Sequence, residues 1–465
     1  MKIVFFLFSL VFTLSVNAEI PASVIDALNQ ADIPLDSVSI YVQPVDSAVP
    51  TISHNANKPM NPASVMKLVT TYVGLEALTP AYRWKTELYR DGEVKNGVLE
   101  GDLIIKGYGD PSFKAQEFWH LLMSLQQAGI QGINGDLVID KTYFAKQDGE
   151  RRAFDDEIWR AYNAQPSAFL VNGRNTSFKF SVQNNAVSIN QEFELPQIKI
   201  INQMSLRSED CGSWRNYFTY IIQSGLDSQI VTFNGTYSPE CEARYLELSL
   251  FDDEQYAFYT FQKLWQVLGG QFSGKLQVKA LPLSAVKILE QQSEPLGNVI
   301  RDINKWSNNL MARQLLLTLA AEKQPLPATE IKGAYVVNQE LKKKGLNFDE
   351  LVIENGSGLS RMERISAQHV GLMLLSAYHS PVMPEFISSL PILGLDGTIK
   401  KRLNDEAVQG RAHLKTGSID AVSAIAGYIL DHKNQRSVIV MLVNHTKSGM
   451  SKEAQDNLLN WVSNQ

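Results

Sequence analysis

The 465-residue sequence has only two cysteines and seven histidines. No two histidines have the H-x-x-x-H spacing of a helical zinc site, so no metal centre is predicted. The cysteines, Cys211 and Cys241, form an isolated pair. In an oxidising compartment such a pair is expected to close one structural disulfide. Metal ligation is the alternative, but no neighbouring histidine completes a set of four ligands.

Basic residues do not outnumber acidic ones. The chain has 43 lysines and arginines against 49 aspartates and glutamates, with a formal net charge of −6. A general nucleic-acid-binding protein shows a basic surplus, so nucleic acid is not a predicted partner. Beyond residue 18 no apolar run is long enough to cross a bilayer, and no transmembrane segment is predicted.

The start of the chain has the composition of a signal peptide. Lys2 supplies a positive charge, residues 3–16 are apolar, and Val16-Asn17-Ala18 is a small-residue cleavage site. The apolar run is shorter than a membrane span. We therefore expect residues 1–18 to be removed on export, and the mature chain to begin near Glu19.

The stretch Ser64-Val65-Met66-Lys67 stands at the start of a predicted helix. Pro62 precedes it, and the apolar residues that follow recur at helical spacing. Lys67 is thus expected on the same side of the helix as Ser64, one turn later. A serine needs a nearby base to become a nucleophile, and a lysine kept partly neutral by its surroundings can act as one. An S-x-x-K spacing is by itself common by chance.

Two further motifs strengthen the interpretation. Ser307-Asn308-Asn309 is an S-x-N before an apolar helix, and Lys415-Thr416-Gly417-Ser418 is a K-T-G-S before two apolar strands. Read singly, the first could cap a helix and the second could be a solvated strand end. Together the three motifs occur in the order seen in penicillin-binding proteins and class A β-lactamases. Their joint occurrence favours a catalytic site.

The sequence resembles the class C low-molecular-mass penicillin-binding proteins of the penicillin-binding protein 4 type. The stretches Gly107-Tyr108-Gly109-Asp110-Pro111-Ser112, Gly356-Ser357-Gly358-Leu359-Ser360-Arg361 and Gly394-Leu395-Asp396-Gly397-Thr398-Ile399 add to the likeness. The resemblance implies a periplasmic, at most loosely membrane-associated, serine D-Ala-D-Ala carboxypeptidase and endopeptidase. Its expected partners are peptidoglycan stem peptides and, as covalent inhibitors, β-lactams, with no cofactor. A serine β-lactamase or esterase, and a non-catalytic peptidoglycan-binding protein, are the alternatives.

The resemblance also implies roles for individual residues. Ser64 is the expected nucleophile and Lys67 its base, while Ser307, Asn309 and Lys415 complete the catalytic set. The expected substrate-binding residues are Thr416, Gly417, Ser418, Arg361, Asp140, Phe144 and Asp420.

Three of these binding residues are expected to hold the side chain of meso-diaminopimelate. Arg361 would bind its carboxylate, Asp140 would bind its ammonium, and Phe144 would cover the stem. Asp420 stands where we expect glutamine in this family, and its charge would favour the ammonium over the carboxylate.

The implied fold is α/β (α+β). A penicillin-binding transpeptidase or β-lactamase-like domain, with an antiparallel five-stranded sheet flanked by helices, carries two inserted β-rich domains. Helical and strand-like segments at both ends of the chain enclose a long β-rich middle. We therefore expect a discontinuous peptidase domain of residues 19–83 and 285–465, interrupted by an accessory region of residues 84–284 with two nested domains.

Overall fold

The computed structural model describes residues 19–146 and 154–465. The predicted signal peptide, residues 1–18, lies outside the described residues. Within them the α-helices are α1 (Ala22–Gln30), α2 (Met66–Leu78), α3 (Ala115–Gln127), α4 (Asp253–Val267), α5 (Leu296–Lys305), α6 (Asn309–Lys323), α7 (Glu330–Lys343), α8 (Ala367–Tyr378), α9 (Met383–Ser389) and α10 (Lys452–Ser463).

The same ranges contain eighteen β-strands. They are β1 (Val38–Pro44), β2 (Ile52–His54), β3 (Lys85–Lys95), β4 (Val98–Gly107), β5 (Gly132–Ile133), β6 (Leu137–Asp140), β7 (Thr176–Gln183), β8 (Ala186–Gln191), β9 (Ile198–Leu206), β10 (Phe218–Ser224), β11 (Gln229–Tyr237), β12 (Arg244–Leu248), β13 (Gln271–Phe272), β14 (Leu276–Val278), β15 (Val286–Gln292), β16 (Ala412–Ile419), β17 (Val422–Leu430) and β18 (Arg436–Asn444).

The chain divides into two compact units. Unit 1 contains the chain up to Val65, Lys344–Val352 and Arg361–Gln465, and unit 2 contains Met66–Lys343 and Ile353–Ser360. The predicted domain boundaries at residues 83 and 284 do not coincide with this division. They remain predictions.

Unit 1 is built on an antiparallel five-stranded sheet in the order β16-β17-β18-β1-β2. Alternate residues of a strand face opposite sides of a sheet. Ile40 belongs to the core shared with α1 and α10, while its neighbour Tyr41 lies against Gly371 of α8. Helices therefore cover both faces, which explains why β17 and β18 read as nearly continuous apolar runs. The predicted sheet with flanking helices is confirmed.

Unit 2 combines a helical part with β-sheets. Helix α2 packs against α5, α6 and α7, and Leu315 of α6 fills the space above Gly74. The strands form a seven-stranded sheet around β3 and β4 and two three-stranded sheets, β10-β11-β9 and β12-β7-β8. Strand β15 pairs with β3, so the seven-stranded sheet includes residues beyond 284, up to Gln292.

The two cysteines lie in unit 2. Cys211 and Cys241 form a disulfide, as predicted, and Cys241 is buried in the apolar core of the β-rich part. No group of three or more His, Cys, Asp or Glu residues in ranges 19–146 and 154–465 could hold a metal ion. In the same part of the chain, no helix combines the length and apolar character that a membrane span requires.

Candidate active site

Ser64 lies in a 3-10 turn, Ala63–Val65, that directly precedes α2 in the chain. The turn is fixed to the end of β18. Asn444 accepts a hydrogen bond from the Asn61 N–H at 2.8 Å and donates one to the Asn61 carbonyl at 3.0 Å. The side chain of Asn61 in turn accepts from the Ala63 N–H at 2.9 Å. Ala63 has a φ of +44°, a backbone strain of the kind concentrated at functional sites.

Strand β16 is an edge strand of the unit 1 sheet and carries the Lys415–Ser418 motif. The turn that holds Ser64 lies directly against it. A Cβ atom added to Gly417 would stand 2.7 Å from the Pro62 carbonyl oxygen and 2.8 Å from the Ser64 nitrogen. Only glycine permits this approach. Gly417 and the Ser64 N–H are therefore neighbours within unit 1.

Lys415 is fully buried on β16, and its Nζ donates a hydrogen bond to the Thr416 carbonyl at 2.7 Å. Burial disfavours the charged form and lowers the pKa of Lys415 to about 7. The Thr416 hydroxyl lies 3.4 Å from that of Thr398, in the Gly394–Ile399 stretch. The ammonium that is expected to bind a carboxylate is thus easily deprotonated.

Arg361 and Asp420 are paired in unit 1. The Arg361 Nη2 lies 3.2 Å from the Asp420 Oδ2, and Nη1 donates to the Asp420 carbonyl at 3.2 Å. The pair is exposed, with 52% of the arginine side chain and 91% of the aspartate side chain accessible. Asp420 therefore already accepts hydrogen bonds from the Arg361 guanidinium, the group that is predicted to bind a substrate carboxylate.

In unit 2, Lys67 is fully buried on α2. Its Nζ donates a hydrogen bond to the side-chain oxygen of Asn309 at 2.6 Å and another to the main-chain carbonyl of Ser357. The structure thus brings together two of the predicted catalytic residues, Lys67 and Asn309, although 242 positions separate them.

The Ser307–Asn309 motif forms the connection between α5 and α6. Asn308 caps α6, its side chain accepting from the Met311 N–H at 3.0 Å, and its own N–H donates to the Ile303 carbonyl at 3.1 Å. Ser307 has a φ of +57°, a left-handed conformation uncommon for serine. The tight connection places Asn309 at the first turn of α6, from which its side chain reaches Lys67.

The segment that contributes the Ser357 carbonyl is held in shape by its own polar side chains. Asn355 accepts from the Ser357 N–H at 2.9 Å and from its hydroxyl at 2.7 Å. The neighbouring Gly356 carbonyl accepts from Thr70, one turn after Lys67 on α2, at 2.6 Å. Two successive carbonyls of this segment therefore face two polar side chains of α2.

Asp140 and Phe144 lie in the part of unit 2 that contains β6. Asp140 is buried, and its carboxylate pairs with Lys106 at 3.1 Å and accepts from Thr142 and from the Leu281 N–H. Burial alone would raise its pKa, but these hydrogen bonds hold the pKa of Asp140 below its ordinary value.

The aromatic ring of Phe144 is also buried and packs over Gly109. The expected roles of Asp140 and Phe144 in substrate binding remain predictions.

Two positioning residues were not predicted from the sequence. The one signal for Asn444 in the sequence is that a polar residue closes an apolar strand. Ser357 acts through its main-chain carbonyl, which leaves no trace in side-chain identity. Its only signal is its place in the Gly356–Arg361 stretch.

Comparison with known proteins gives one family. The model of the D-Ala-D-Ala carboxypeptidase 3 (S13) family matches residues 20–465. The chain is similar to D-alanyl-D-alanine carboxypeptidase DacB from Haemophilus influenzae, with 25% identity covering 85% of this chain and 83% of the relative. It is also similar to a D-alanyl-D-alanine carboxypeptidase from an Actinomadura species, with 26% identity covering 85% and 75%.

Solved structures agree on the fold. The crystal structure of penicillin binding protein 4 (dacB) from Haemophilus influenzae matches with a TM-score of 0.77 and 23% identity, covering 95% of this chain and 99% of that one. A predatory peptidoglycan endopeptidase from Bdellovibrio bacteriovorus matches with a TM-score of 0.53 and 16% identity, covering 91% and 92%. The resemblance stated from the motifs is confirmed, and the chain belongs to the D-Ala-D-Ala carboxypeptidase 3 (S13) family.

Proposed function

We propose that the chain is an exported serine DD-peptidase that cleaves D-Ala-D-Ala stem peptides and peptide crosslinks of peptidoglycan through an acyl-enzyme on Ser64. The hydrogen bond between the buried Lys67 and the partly buried Asn309, which joins two of the three motifs, is the observation that carries the proposal. The family match supports the carboxypeptidase activity, and the likeness to a peptidoglycan endopeptidase agrees with the crosslink substrate.

Lys67 is the proposed general base. A neutral amine has two N–H bonds and one lone pair. If both N–H bonds are donated, to Asn309 and to the Ser357 carbonyl, the lone pair is left to accept the Ser64 hydroxyl proton. Asn309 and Ser357 would then orient the amine as well as bury it.

Acylation follows from this arrangement. The Ser64 oxygen attacks the carbonyl carbon of the penultimate D-alanine, and its proton passes to Lys67. Ser307 relays a proton to the leaving amine as the peptide bond breaks. The main-chain N–H groups of Ser64 and Ser418 stabilise the oxyanion, and the approach that Gly417 allows between the Ser64 turn and β16 supports this role.

Lys415 is the proposed partner of the terminal carboxylate. A carboxylate within hydrogen-bonding distance would favour the charged form of the lysine and offset its burial. Thr416 and Ser418 supply hydroxyls for the same group. Water then attacks the acyl-enzyme carbonyl, Ser64 recovers a proton, and the shortened peptide leaves. No step requires a cofactor.

β-Lactams should acylate Ser64 because their strained amide takes the place of the D-Ala-D-Ala bond. A relative of the same fold, penicillin binding protein 4 from Haemophilus influenzae, was crystallised in complex with a novel β-lactam; its TM-score to this chain is 0.75 and its identity is 23%. At this identity the likeness shows that the two chains share a fold. The acylation of this chain is part of the proposal.

The finer part of the proposal concerns the substrate side chain and the compartment. We propose that Arg361 binds the side-chain carboxylate of meso-diaminopimelate, which requires it to share or exchange its contact with Asp420. Asp140 would be available to an ammonium only beside Lys106. Export to the periplasm rests on the predicted signal peptide.

Product analysis on purified muropeptides tests the proposal. Pentapeptide muropeptides should lose one D-alanine, and crosslinked dimers should yield monomers, both blocked by prior treatment with penicillin. Rapid turnover of the penicillin with no release of D-alanine would indicate a β-lactamase instead. Binding to peptidoglycan with neither reaction would indicate a non-catalytic protein.

A further inference from the structure

A cleft of about 780 Å³ within unit 2 extends from the S-x-N motif. Ser307 and Asn309 form part of its lining, so the cleft is continuous with residues of the proposed catalytic set. Most of the remaining lining comes from residues 111–256, in the β-rich part of the unit, and the rest comes from α5, α6 and their connection. The mechanism proposed above uses none of those residues.

Five aromatic side chains line the cleft; Phe113 and Tyr256 are buried, and the other three are accessible. Trp306, directly before Ser307, leaves 65% of its surface exposed, and Tyr162 leaves 36% exposed. Phe193 packs partly against the β-rich core and is accessible on its other side. A tryptophan so exposed contributes little to packing, and large apolar groups held in the open usually mark a binding surface. Flat aromatic faces suit the apolar face of a sugar ring.

The charged side chains of the lining are mainly acidic: Glu192, Glu247 and Asp302 against Lys114. Burial and the neighbouring charge of Glu192 raise the pKa of Glu247, so a further negative charge would be poorly tolerated here. Stem peptides carry free carboxylates, whereas the sugars of a peptidoglycan strand are neutral once the peptide is attached. Carboxylates readily accept hydrogen bonds from sugar hydroxyls.

An amide group in the lining is suited to an N-acetyl substituent. The Asn175 Oδ1 is buried and has no hydrogen-bond partner within residues 19–146 and 154–465. A buried acceptor without a partner costs free energy, which a ligand N–H would recover once rotation of the side chain brings the oxygen to the cleft. The acetamido N–H of an N-acetylated sugar is such a donor.

We infer that this cleft, lined by Trp306, Tyr162, Phe193, Glu192, Glu247 and Asn175, is a subsite for the N-acetylated glycan strand of peptidoglycan. The inference rests on the proposed function, which it deepens by adding a second part of the substrate. The strand that bears the cleaved peptide would lie in the accessory β-rich part, while its peptide enters the site at Ser307.

Binding of peptide-free glycan tests the inference. Oligomers of N-acetylglucosamine, which are neutral and carry no peptide, are titrated by calorimetry into the full chain after acylation with penicillin, which prevents turnover. The wild type should bind, and Trp306→Ala should weaken the affinity at least fivefold. Tyr335→Ala is the matched control because this tyrosine is 54% exposed on α7 and does not line the cleft. It should leave the affinity unchanged.

A second pair of measurements guards against a folding defect in the tryptophan variant. Phe193→Ala should also weaken glycan binding severalfold, and each variant should still be acylated by penicillin. Sugar-free stem peptides should not compete with the glycan. Absence of binding by the wild type, an equal loss in Tyr335→Ala, or competition by the peptides would overturn the glycan assignment.

The same titration separates the two proposals. If the wild-type chain is acylated and releases D-alanine but does not bind glycan, the glycan subsite is contradicted. The proposed function then still stands. A chain that penicillin does not acylate contradicts the proposed function, and glycan binding can then still be measured on the unmodified protein.

Discussion

The two buried lysines of the proposed site are held in different ways. In unit 2, Lys67 donates to a side-chain amide and to a distant main-chain carbonyl, and the segment that supplies this carbonyl is held by further hydrogen bonds. In unit 1, Lys415 lies on an edge strand, donates to the carbonyl of its own neighbour, and has a pKa lowered to about 7 by burial. The first environment orients an amine, and the second holds a cation that an anionic ligand can stabilise.

This difference assigns two tasks to the same type of side chain. A base must present its lone pair in one direction, which requires acceptors for its N–H bonds. A carboxylate-binding group needs charge, and a buried lysine is readily charged once its partner arrives.

The largest effect is expected at Lys67. Lys67→Ala removes the proposed proton acceptor and should slow acylation by penicillin about 100- to 10,000-fold, the range typical of general-base catalysis. Stopped-flow labelling with a fluorescent penicillin measures it. Lys305→Ala, at a second buried lysine of unit 2, is the control and should acylate normally. Near-native acylation of the Lys67→Ala protein would contradict the proposal that Lys67 is the general base.

Gly417→Ala should have the next largest effect. The added methyl group would meet the Pro62 carbonyl at 2.7 Å and the Ser64 nitrogen at 2.8 Å, so the Ser64 turn or β16 must shift. A displacement of about 1 Å at a catalytic group costs about 100-fold in rate, which acylation kinetics would show. Gly449→Ala, where nothing lies within 4 Å of the added carbon, should be neutral. Equal rates in both variants would contradict the close approach.

The lowered pKa of Lys415 predicts a dependence on pH. Only the ammonium attracts a carboxylate, so kcat/KM for a D-Ala-D-Ala peptide should fall about tenfold per pH unit above about pH 7. Below that pH this lysine is charged and imposes no loss. Lys415→Arg keeps the charge throughout and should flatten the alkaline limb. A wild-type profile flat from pH 7 to 9 would show that Lys415 stays charged in the free enzyme.

The smallest effect is expected at Asp420. Asp420→Asn releases Arg361 from an exposed ion pair, which is worth at most about 1 kcal/mol. Cleavage of a meso-diaminopimelate peptide should therefore quicken up to about fivefold. Acylation by a penicillin without that side chain should not change. Asp36→Asn, another exposed carboxylate of unit 1, is the control. A slower diaminopimelate reaction would mean that Asp420 serves the ammonium.

The sheet of unit 1 could be predicted because apolar residues mark its strands and because the motif order fixed the family. Strands β10 and β15 could not be predicted in this way. Both are largely exposed, so they show no buried face that a periodic pattern could reveal.

The two lysine environments could be predicted only in part. The motifs identified Lys67, Asn309 and Lys415 by side-chain type and order. The Ser357 carbonyl lies 290 positions from Lys67, and a main-chain acceptor carries no sequence signal. The pairing of Arg361 with Asp420 was likewise not predicted, because 59 positions separate them and only the fold brings them together.

The mass of the peptide that contains Ser64 tests the central claim most directly. After incubation with a β-lactam and proteolysis, mass spectrometry should find the whole β-lactam added to that peptide, on Ser64, and Ser64→Ala should carry no adduct. The account predicts one adduct per chain, lost in the variant. An adduct on another serine, or none on the folded wild-type protein, would contradict it.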